Sequence, residues 1–428
     1  MTRMKDSGIE WIGEVPEEWG IKPIKHIFGA IGSGTTPDSS KVEYYDGNIN
    51  WLQSGDLYKK DYVYAVSKTI TDLGYRSSAS LRIYQAPFLA IAMYGASIGN
   101  LAISKIDACV NQAVAVLKGE ENIVRFAKLA LEISKTELIF AAQGGTQPNI
   151  NQVLIKNWVI PFPSEIEIKK IADFLDKKVA QLDKVKSLLE EQIKTLEDYR
   201  QSLIYETVTK GLDKTVPLKD SGVDWIGQIP EGWEVGRLKD FVKFQTGTTP
   251  PQSVGVNQDE SGIPWFKPGD FSDNSIDLLS SENHITHEVV MQYNLSVYPK
   301  KTILLVGIAS IGKVGYSAQP SYSNQQITAL RTIGEIYPRY LAYLMFSSGR
   351  FIKETALYTV VPIINNQYLA TMRLVLPSEN EQKIIVEYLD RKLEQINQII
   401  AIKREQIENI NKQRQTLIYD YVTGKRRV

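Results

Sequence analysis

One feature constrains this chain more than any other: it is a duplication at half its own length. Lys5–Trp19 reads KDSGIEWIGEVPEEW and Lys219–Trp233 reads KDSGVDWIGQIPEGW, identical at ten of fifteen positions at an offset of 214 in a chain of 428 residues. The match continues in register. Gly34-Thr-Thr-Pro37 recurs as Gly247-Thr-Thr-Pro250, Trp51 with Gly55-Asp56 as Trp265 with Gly269-Asp270, and Ala96-Ser-Ile-Gly99 as Ala309-Ser-Ile-Gly312. Asn111-Gln112 recurs as Asn324-Gln325, and Leu203-Ile-Tyr205 as Leu417-Ile-Tyr419. A series of this kind means one structural plan built twice, each copy large enough for a core of its own. Six of the seven tryptophans fall in pairs (11 with 225, 19 with 233, 51 with 265), and those of the entry motif are expected to anchor each core.

Each copy has two segments of different character. The first, roughly 5–163 and 219–377, is rich in Gly, Pro, Thr and Tyr and carries short β-prone runs such as Phe88–Ala92 and Thr302–Val306 between turn signals. It reads as a mixed α+β globule. The second segment reads as one long helix. Ile166–Thr209 contains no Pro or Gly, and Leu175, Leu182, Leu189, Leu196 and Leu203 recur every seven residues. Glu379–Val422 carries the corresponding seam of Leu389, Ile396, Lys403, Ile410 and Leu417. Gly211 and Gly424 supply the stops. The expected partition is 1–163, 164–212, 213–377 and 378–428. Helices of this size span roughly 57–66 Å at 1.5 Å per residue, longer than either globule is wide, which points to a spacer.

Composition bounds the function class. No apolar run reaches the ~18–20 residues of a membrane span, and the first residues lead into no apolar signal region. The single cysteine, Cys109, allows no internal disulfide and fits a reducing cytoplasm, where it is expected to be a small buried residue. Lys and Arg number 49, and Asp and Glu number 49. The net charge of zero therefore provides no general attraction to nucleic acid, so any such case must come from organisation.

Catalytic signatures fare poorly. The only Pro-Pro pair, Pro250-Pro251, lacks the Asn or Asp before it and the aromatic after it that a base-flipping amino-methyltransferase needs. Gly307-Ile-Ala-Ser-Ile-Gly312-Lys313-Val314 approaches a phosphate-cradling loop, but Val314 occupies the position of the magnesium-binding hydroxyl. A strand and turn is the expected structure. His284 and His287 lack further spaced ligands and read as surface histidines rather than a metal site. The Glu167-Ile-Lys169 run lies at a helix start, where a solvated face accounts for it.

The order globule–helix–globule–helix resembles the type I restriction–modification specificity subunit over nearly the whole chain. The resemblance rests on the Asp-Ser-Gly-x-x-Trp-Ile-Gly-x-x-Pro-x-x-Trp entry, the Gly-Thr-Thr-Pro loop, and Pro163 or Pro377 leading into a helix. Asn380-Glu-Gln382 is similar to the family's Glu-Gln helix start, from which the first copy departs with Glu165-Ile-Glu167. The resemblance implies an α+β chain of two mixed α/β target-recognition domains, each followed by a long helix. The two helices are expected to pack as an antiparallel coiled coil with pseudo-twofold symmetry. It also implies a non-catalytic subunit that reads the two halves of a gapped target on double-stranded DNA. Two methyltransferase subunits and motor-nuclease subunits would be its partners. S-adenosylmethionine, ATP and Mg would reside on those partners, with no cofactor in this chain.

The two globules share a frame but diverge in the tracts 57–90 and 271–303, as two readers of different half-sites would. Phosphates attract Lys, Arg, hydroxyls and amides, whereas base edges need Asn, Gln, Arg, Ser or Thr. On that basis the DNA-contact candidates in the first globule are Thr35, Thr36, Lys59, Lys60, Arg76, Arg82, Gln143, Thr146 and Gln147. In the second they are Thr248, Thr249, Lys267, Lys313, Tyr322, Asn324 and Gln325. For Gly-Thr-Thr-Pro the plain alternative is a tight turn, and for Asn-Gln the satisfaction of buried backbone groups. For the whole chain the alternative is a coiled-coil scaffold whose paired globules bind protein or sugar.

Overall fold

The computed structural model describes residues 3–142, 148–249, 262–293, 295–355 and 363–428. They form two compact units, Met1–Leu188 with Glu405–Val428, and Leu189–Arg404. Each unit thus combines one globule with the first part of the helix that follows it and the last part of the other long helix.

In the first unit a five-stranded sheet runs Ala30–Ser33, Val114–Lys118, Phe88–Ala92, Leu101–Ser104, Tyr62–Val63, antiparallel except for the last pair. A three-stranded sheet orders Cys109–Val110, Tyr45–Leu52, Thr69–Ile70. The second unit repeats both orders with Val242–Thr246, Ile327–Thr332, Thr302–Val306, Val314–Ser317, Asp277–Leu278 and with His284–Ile285, Ile263–Phe266, Tyr322–Ser323.

Phe88–Ala92 is apolar throughout because both of its faces are covered. Leu89 and Ile91 point with Ile103, Ala115 and Leu117 into the core that also holds the helix Glu121–Ile133. Phe88, Ala90 and Ala92 point the other way, onto Leu52, Leu57 and Val63. Thr302–Val306 divides in the same manner, with Ile303 and Leu305 on one side and Leu304 and Val306 on the other.

The long helices run Glu165–Lys210 and Glu379–Val422. Each begins on a serine three residues before a glutamate, and the backbone N–H of Glu167 or Glu381 donates to Ser164 or Ser378. Each ends at a glycine with positive φ, Gly211 at 69° and Gly424 at 75°. The apolar stripe does more than join helix to helix. Ile168, Ile171, Leu175 and Val179 belong to the core of the first globule, and Ile418 and Val422, from the far end of the other helix, enter that same core. In the second unit Leu389, Leu393, Ile396 and Ile400 are met by Ile204 and Val208 of the first helix. Burying a side chain of this size stabilises by about 1.5–3 kcal/mol, so each globule is held by both helices. Of the expected seam, Leu175, Leu389 and Ile396 are buried, whereas Leu182, Leu189, Leu196, Leu203, Ile410 and Leu417 are half-buried. Within each unit the two helix segments run antiparallel: the Phe174 and Tyr421 rings lie 4.6 Å apart in one, and Lys403 donates to Gln192 at 2.7 Å in the other.

The entry motif is a hairpin (Met4–Asp6 with Glu14–Pro16, and Leu218–Asp220 with Gln228–Pro230) that receives a helix end. Tyr205 donates to the carbonyls of Trp225 and Ile226, and Tyr419 to that of Ile12, each at 3.1 Å. The repeated tyrosine and the repeated Trp-Ile-Gly are two halves of one contact. Trp19 and Trp233 are buried and donate to Glu167 at 3.4 Å and Glu381 at 3.2 Å, while Trp11 and Trp225 are half-buried. Glu167 is therefore a cap and an indole acceptor rather than a solvated charge. Gln382 is buried and accepts from the Tyr337 N–H at 2.7 Å, whereas the first copy places the apolar Ile168 at the corresponding position.

Two further readings are corrected or sharpened. Residues 307–313 link the antiparallel strands Thr302–Val306 and Val314–Ser317, not a strand to a helix, so no phosphate loop forms there. His284 is buried in a short strand, and only His287 is exposed, because His284 pairs with the Trp265-bearing strand at Pro264. Among the described residues no helix is long and apolar enough to cross a membrane.

Candidate DNA interface

Sheet register determines which loops share an end of the molecule. Ser33 pairs with Ala115, Val114 with Ala92, and Leu52 with Val110. The segments that follow Ser33, Leu52, Ala92 and Val110 therefore leave the same end of the first globule. They contain the Gly-Thr-Thr-Pro loop, Lys59 and Lys60, the Ala-Ser-Ile-Gly loop, and Asn111-Gln112. The second globule repeats the arrangement.

Gly34 opens its loop because nothing larger fits: a Cβ there would lie 1.7 Å from the Val110 carbonyl oxygen, and one on Gly247 would lie 2.2 Å from that of Asn324. That close approach sets Thr36 against Gln112, whose Oε1 accepts from Thr36 Oγ1 at 2.6 Å. Thr249 donates to Gln325 in the same way. Both glutamines are exposed, and a hydroxyl occupying Oε1 leaves the amide N–H groups as donors for an outside acceptor. Such donors suit guanine N7 and O6, thymine O4 or a phosphate oxygen. Trp51 steadies the first loop by donating from Nε1 to the Thr35 carbonyl at 3.3 Å. Asn111 and Asn324 act inward, each accepting a backbone N–H two residues ahead at 3.1 Å.

Ion pairs pin each globule to its own long helix. Arg125 meets Asp173 at 2.8 Å and Asp176 at 2.7 Å, and Arg339, at the equivalent position, meets Asp390 at 2.9 Å. The units differ one turn further along. In the first, Lys128 lies between Asp61 and Glu132, while Arg414 of the second helix pairs with Glu132 and with Asp183 at 3.3 Å. Burial would raise the Asp61 carboxyl, but the adjacent Lys128 ammonium outweighs it and holds the group below its ordinary range. In the second unit Ala342, Phe346 and Asn397 stand where Lys128, Glu132 and Asp183 stand in the first. Arg200, the counterpart of Arg414, bonds Asn274 and Asn397 instead, with its buried Nε unpartnered.

The expected contact residues separate accordingly. Thr35 and Thr36 lie with Gln112, and Thr248 and Thr249 with Gln325, at the tip of each globule. Lys59 and Lys60 are exposed on the neighbouring turn, and Lys313 occupies the corresponding region of the second globule, bonded to the Phe271 carbonyl at 3.2 Å. Lys267 is half-buried, bonded to Asn283 at 3.0 Å with its ammonium over Trp265. Arg76 and Arg82 are exposed on the tract around the three-stranded sheet, and Tyr84, two residues after Arg82, donates to the Ser33 carbonyl at 3.2 Å beside the threonine turn. Tyr322 and Asn324 are turned inward: Tyr322 stacks on Tyr298, and the Asn324 amide is engaged by Gln326. Gln143, Thr146 and Gln147, like Pro250-Pro251, lie outside the described residues. Gln112 is not among the contact residues expected from sequence, although its counterpart Gln325 is; the recurrence of Thr and Gln 76 residues apart in both copies is the signal that pairs them.

The sequence pattern of the family described as the type I restriction modification DNA specificity domain matches residues 16–197 and again 230–409. The MjaIX specificity subunit of a type I restriction enzyme from Methanocaldococcus jannaschii is 24% identical over 441 residues, covering 97% of this chain and 95% of the relative. The EcoBI specificity subunit from Escherichia coli is 26% identical over 323 residues, covering 69% and 66%. Two solved structures share the fold. A chain from work on complex assembly and conformational transition of the type I R-M system gives a TM-score of 0.74 at 17% identity, covering 95% of this chain and 98% of that one. The HsdS subunit from Thermoanaerobacter tengcongensis gives 0.52 at 17% identity, covering 96% and 98%.

Proposed function

The chain belongs to the type I restriction–modification DNA specificity family, and on that premise we propose that it reads a bipartite, gapped DNA target and directs adenine methylation or restriction by partner subunits. The observation that carries this reading is the duplicated threonine–glutamine pair. The same exposed donor group stands at the same end of two equivalent globules whose adjoining tracts differ in sequence. Such a pair suits two half-sites of different sequence, each met by one globule. The helices serve as the spacer between the half-sites and as the seat of two methyltransferase subunits, with motor-nuclease subunits completing the restriction complex. S-adenosylmethionine, ATP and Mg belong to those partners.

The test is a map of methylated adenines in cells carrying this chain with its partner subunits. One two-part motif that disappears when the chain is deleted is expected. Methylation that persists unchanged, or a motif without a gap, would overturn the reading.

A further inference from the structure

Resting on the DNA-reading function, we propose that each globule carries a phosphate-gripping cleft beside its threonine–glutamine turn, which holds the DNA backbone at a phosphodiester without reading a base.

In the first unit a cleft of about 190 Å³ lies between the turn at Lys59–Asp61, the Gly99-Asn100 backbone and the helix residues Lys128 and Lys135. Four ammonium groups line it, Lys59, Lys60, Lys128 and Lys135, against the carboxylates of Asp61 and Glu132. Lys128 occupies both carboxylates, and Arg414 shares Glu132. Among the described residues Lys135 meets only an amide oxygen, that of Asn100 at 3.0 Å, and Lys59 only the Tyr58 ring. Among the described residues Lys60 has no carboxylate within ion-pair distance. Partial burial of Lys135 lowers its pKa, an unfavourable position that an anion in the cleft would relieve.

The second unit has a cleft of about 250 Å³ in the corresponding place, bounded by Gly312 and Lys313 where the first has Gly99 and Asn100. Lys313, Arg350 and Lys353 line it; Lys313 meets the one lining carboxylate, Asp273, at 3.2 Å, and Arg350 meets Glu354, outside the lining, at 2.8 Å. Cations therefore exceed carboxylates by two in the first lining and, with Glu354 counted against Arg350, by one in the second, in a chain whose net charge is zero. The charges are not inherited position by position. Lys59 and Lys60 correspond to Asp273 and Asn274, Lys135 to Gly349, and Thr136 to Arg350. A structural ion pair would tie both copies to the same partners, whereas a bound anion requires only that positive charge stand at that place. Both clefts leave the sheet end that bears the base-facing glutamines, where the backbone beside a read base must pass. Lys and Arg donate without accepting, which suits a phosphodiester oxygen rather than a base edge.

The test uses the full chain assembled with its modification subunits and a duplex carrying the mapped target. The variants are Lys59→Gln/Lys60→Gln/Lys135→Gln and, separately, Arg350→Gln/Lys353→Gln. Each neutralised phosphate contact contributes about 0.9 to the slope of log affinity against log salt, so the triple variant should flatten that slope by about two to three. The double variant should flatten it by about one to two. The methylated sequence should stay the same, and Lys→Arg at the same positions should keep the slope. A wild-type slope in both variants would overturn the inference, as would a changed target sequence or a loss of subunit assembly with DNA affinity intact, which would assign the cleft to a protein partner. Stabilisation of the full chain by sodium phosphate over sodium chloride at matched ionic strength, together with a wild-type salt slope in both variants, would assign the cleft to a free anion and overturn the inference too. If the wild-type complex methylates no defined sequence, the DNA-reading function itself fails, an outcome distinct from all of these.

Discussion

Gln112 and Gln325 show how a single exposed side chain is held in a defined direction. Each is exposed, and each has its amide oxygen engaged by a threonine 76 residues away, so its donors face a defined way before any ligand arrives. Gln112→Ala should relax the sequence read in one half-site and leave the other untouched, and Gln325→Ala should do the converse. A lost contact of this kind costs about 1–3 kcal/mol of discrimination, which methylation mapping resolves as new motif variants. The two equivalent arginines should behave in opposite ways. Arg414→Met leaves Asp183 without its cation and Glu132 with Lys128 alone, both carboxylates being partly exposed, and should destabilise the chain by about 1–3 kcal/mol after allowance for solvent screening. Arg200 is buried with two asparagine oxygens and, among the described residues, no carboxylate bonded to it, so Arg200→Met should be neutral or stabilising in urea unfolding. Neither arginine's role was legible in the sequence. Their partners lie on elements far away in the chain, and sequence spacing does not report such distances.

At the scale of elements, the helices were the most legible part. A seven-residue apolar period without Pro or Gly, preceded by Pro163 or Pro377 and closed by glycine, leaves little room for another structure. What the period could not show was the neighbour. Leu175 and Leu182 belong to one stripe, yet the first is buried in a globule core and the second is half-buried between helices. Strands such as Phe88–Ala92 were visible as apolar runs, but their two-sided burial came from sheet order. The proposed spacer role yields a measurement. Inserting four residues between Lys186 and Leu189 adds about 6 Å and about 40° beyond a full turn. The gap of the methylated motif should lengthen by about one or two base pairs at ~3.4 Å each, with both half-sites unchanged. Active complexes that keep the original gap would show that the helices do not set the spacing.

For the molecule as a whole, duplication is what permits independent change. Two globules of identical strand order carry tracts with little resemblance, 57–90 and 271–303, on frames held by the same tryptophan–glutamate and arginine–aspartate contacts. Exchanging tract 57–90 for that of a relative should therefore alter one half-site and spare the other, read by methylation mapping of the exchanged complex. Simultaneous change of both halves would show that the globules do not read separately.

The sequence by itself determined the two copies, the long helices with their glycine stops, the entry motif and the family to which these belong. All are local or in-register signals, carried by spacing along the chain. Only the tertiary structure decided that Ile418 and Val422 enter the core of the first globule, that Thr36 meets Gln112, and that Lys59, Lys60 and Lys135 surround one cleft. The reason is physical. Periodicity states which face of an element avoids water, whereas sheet order and helix packing choose the partner that covers it, and charges brought together by that choice need share no spacing in sequence.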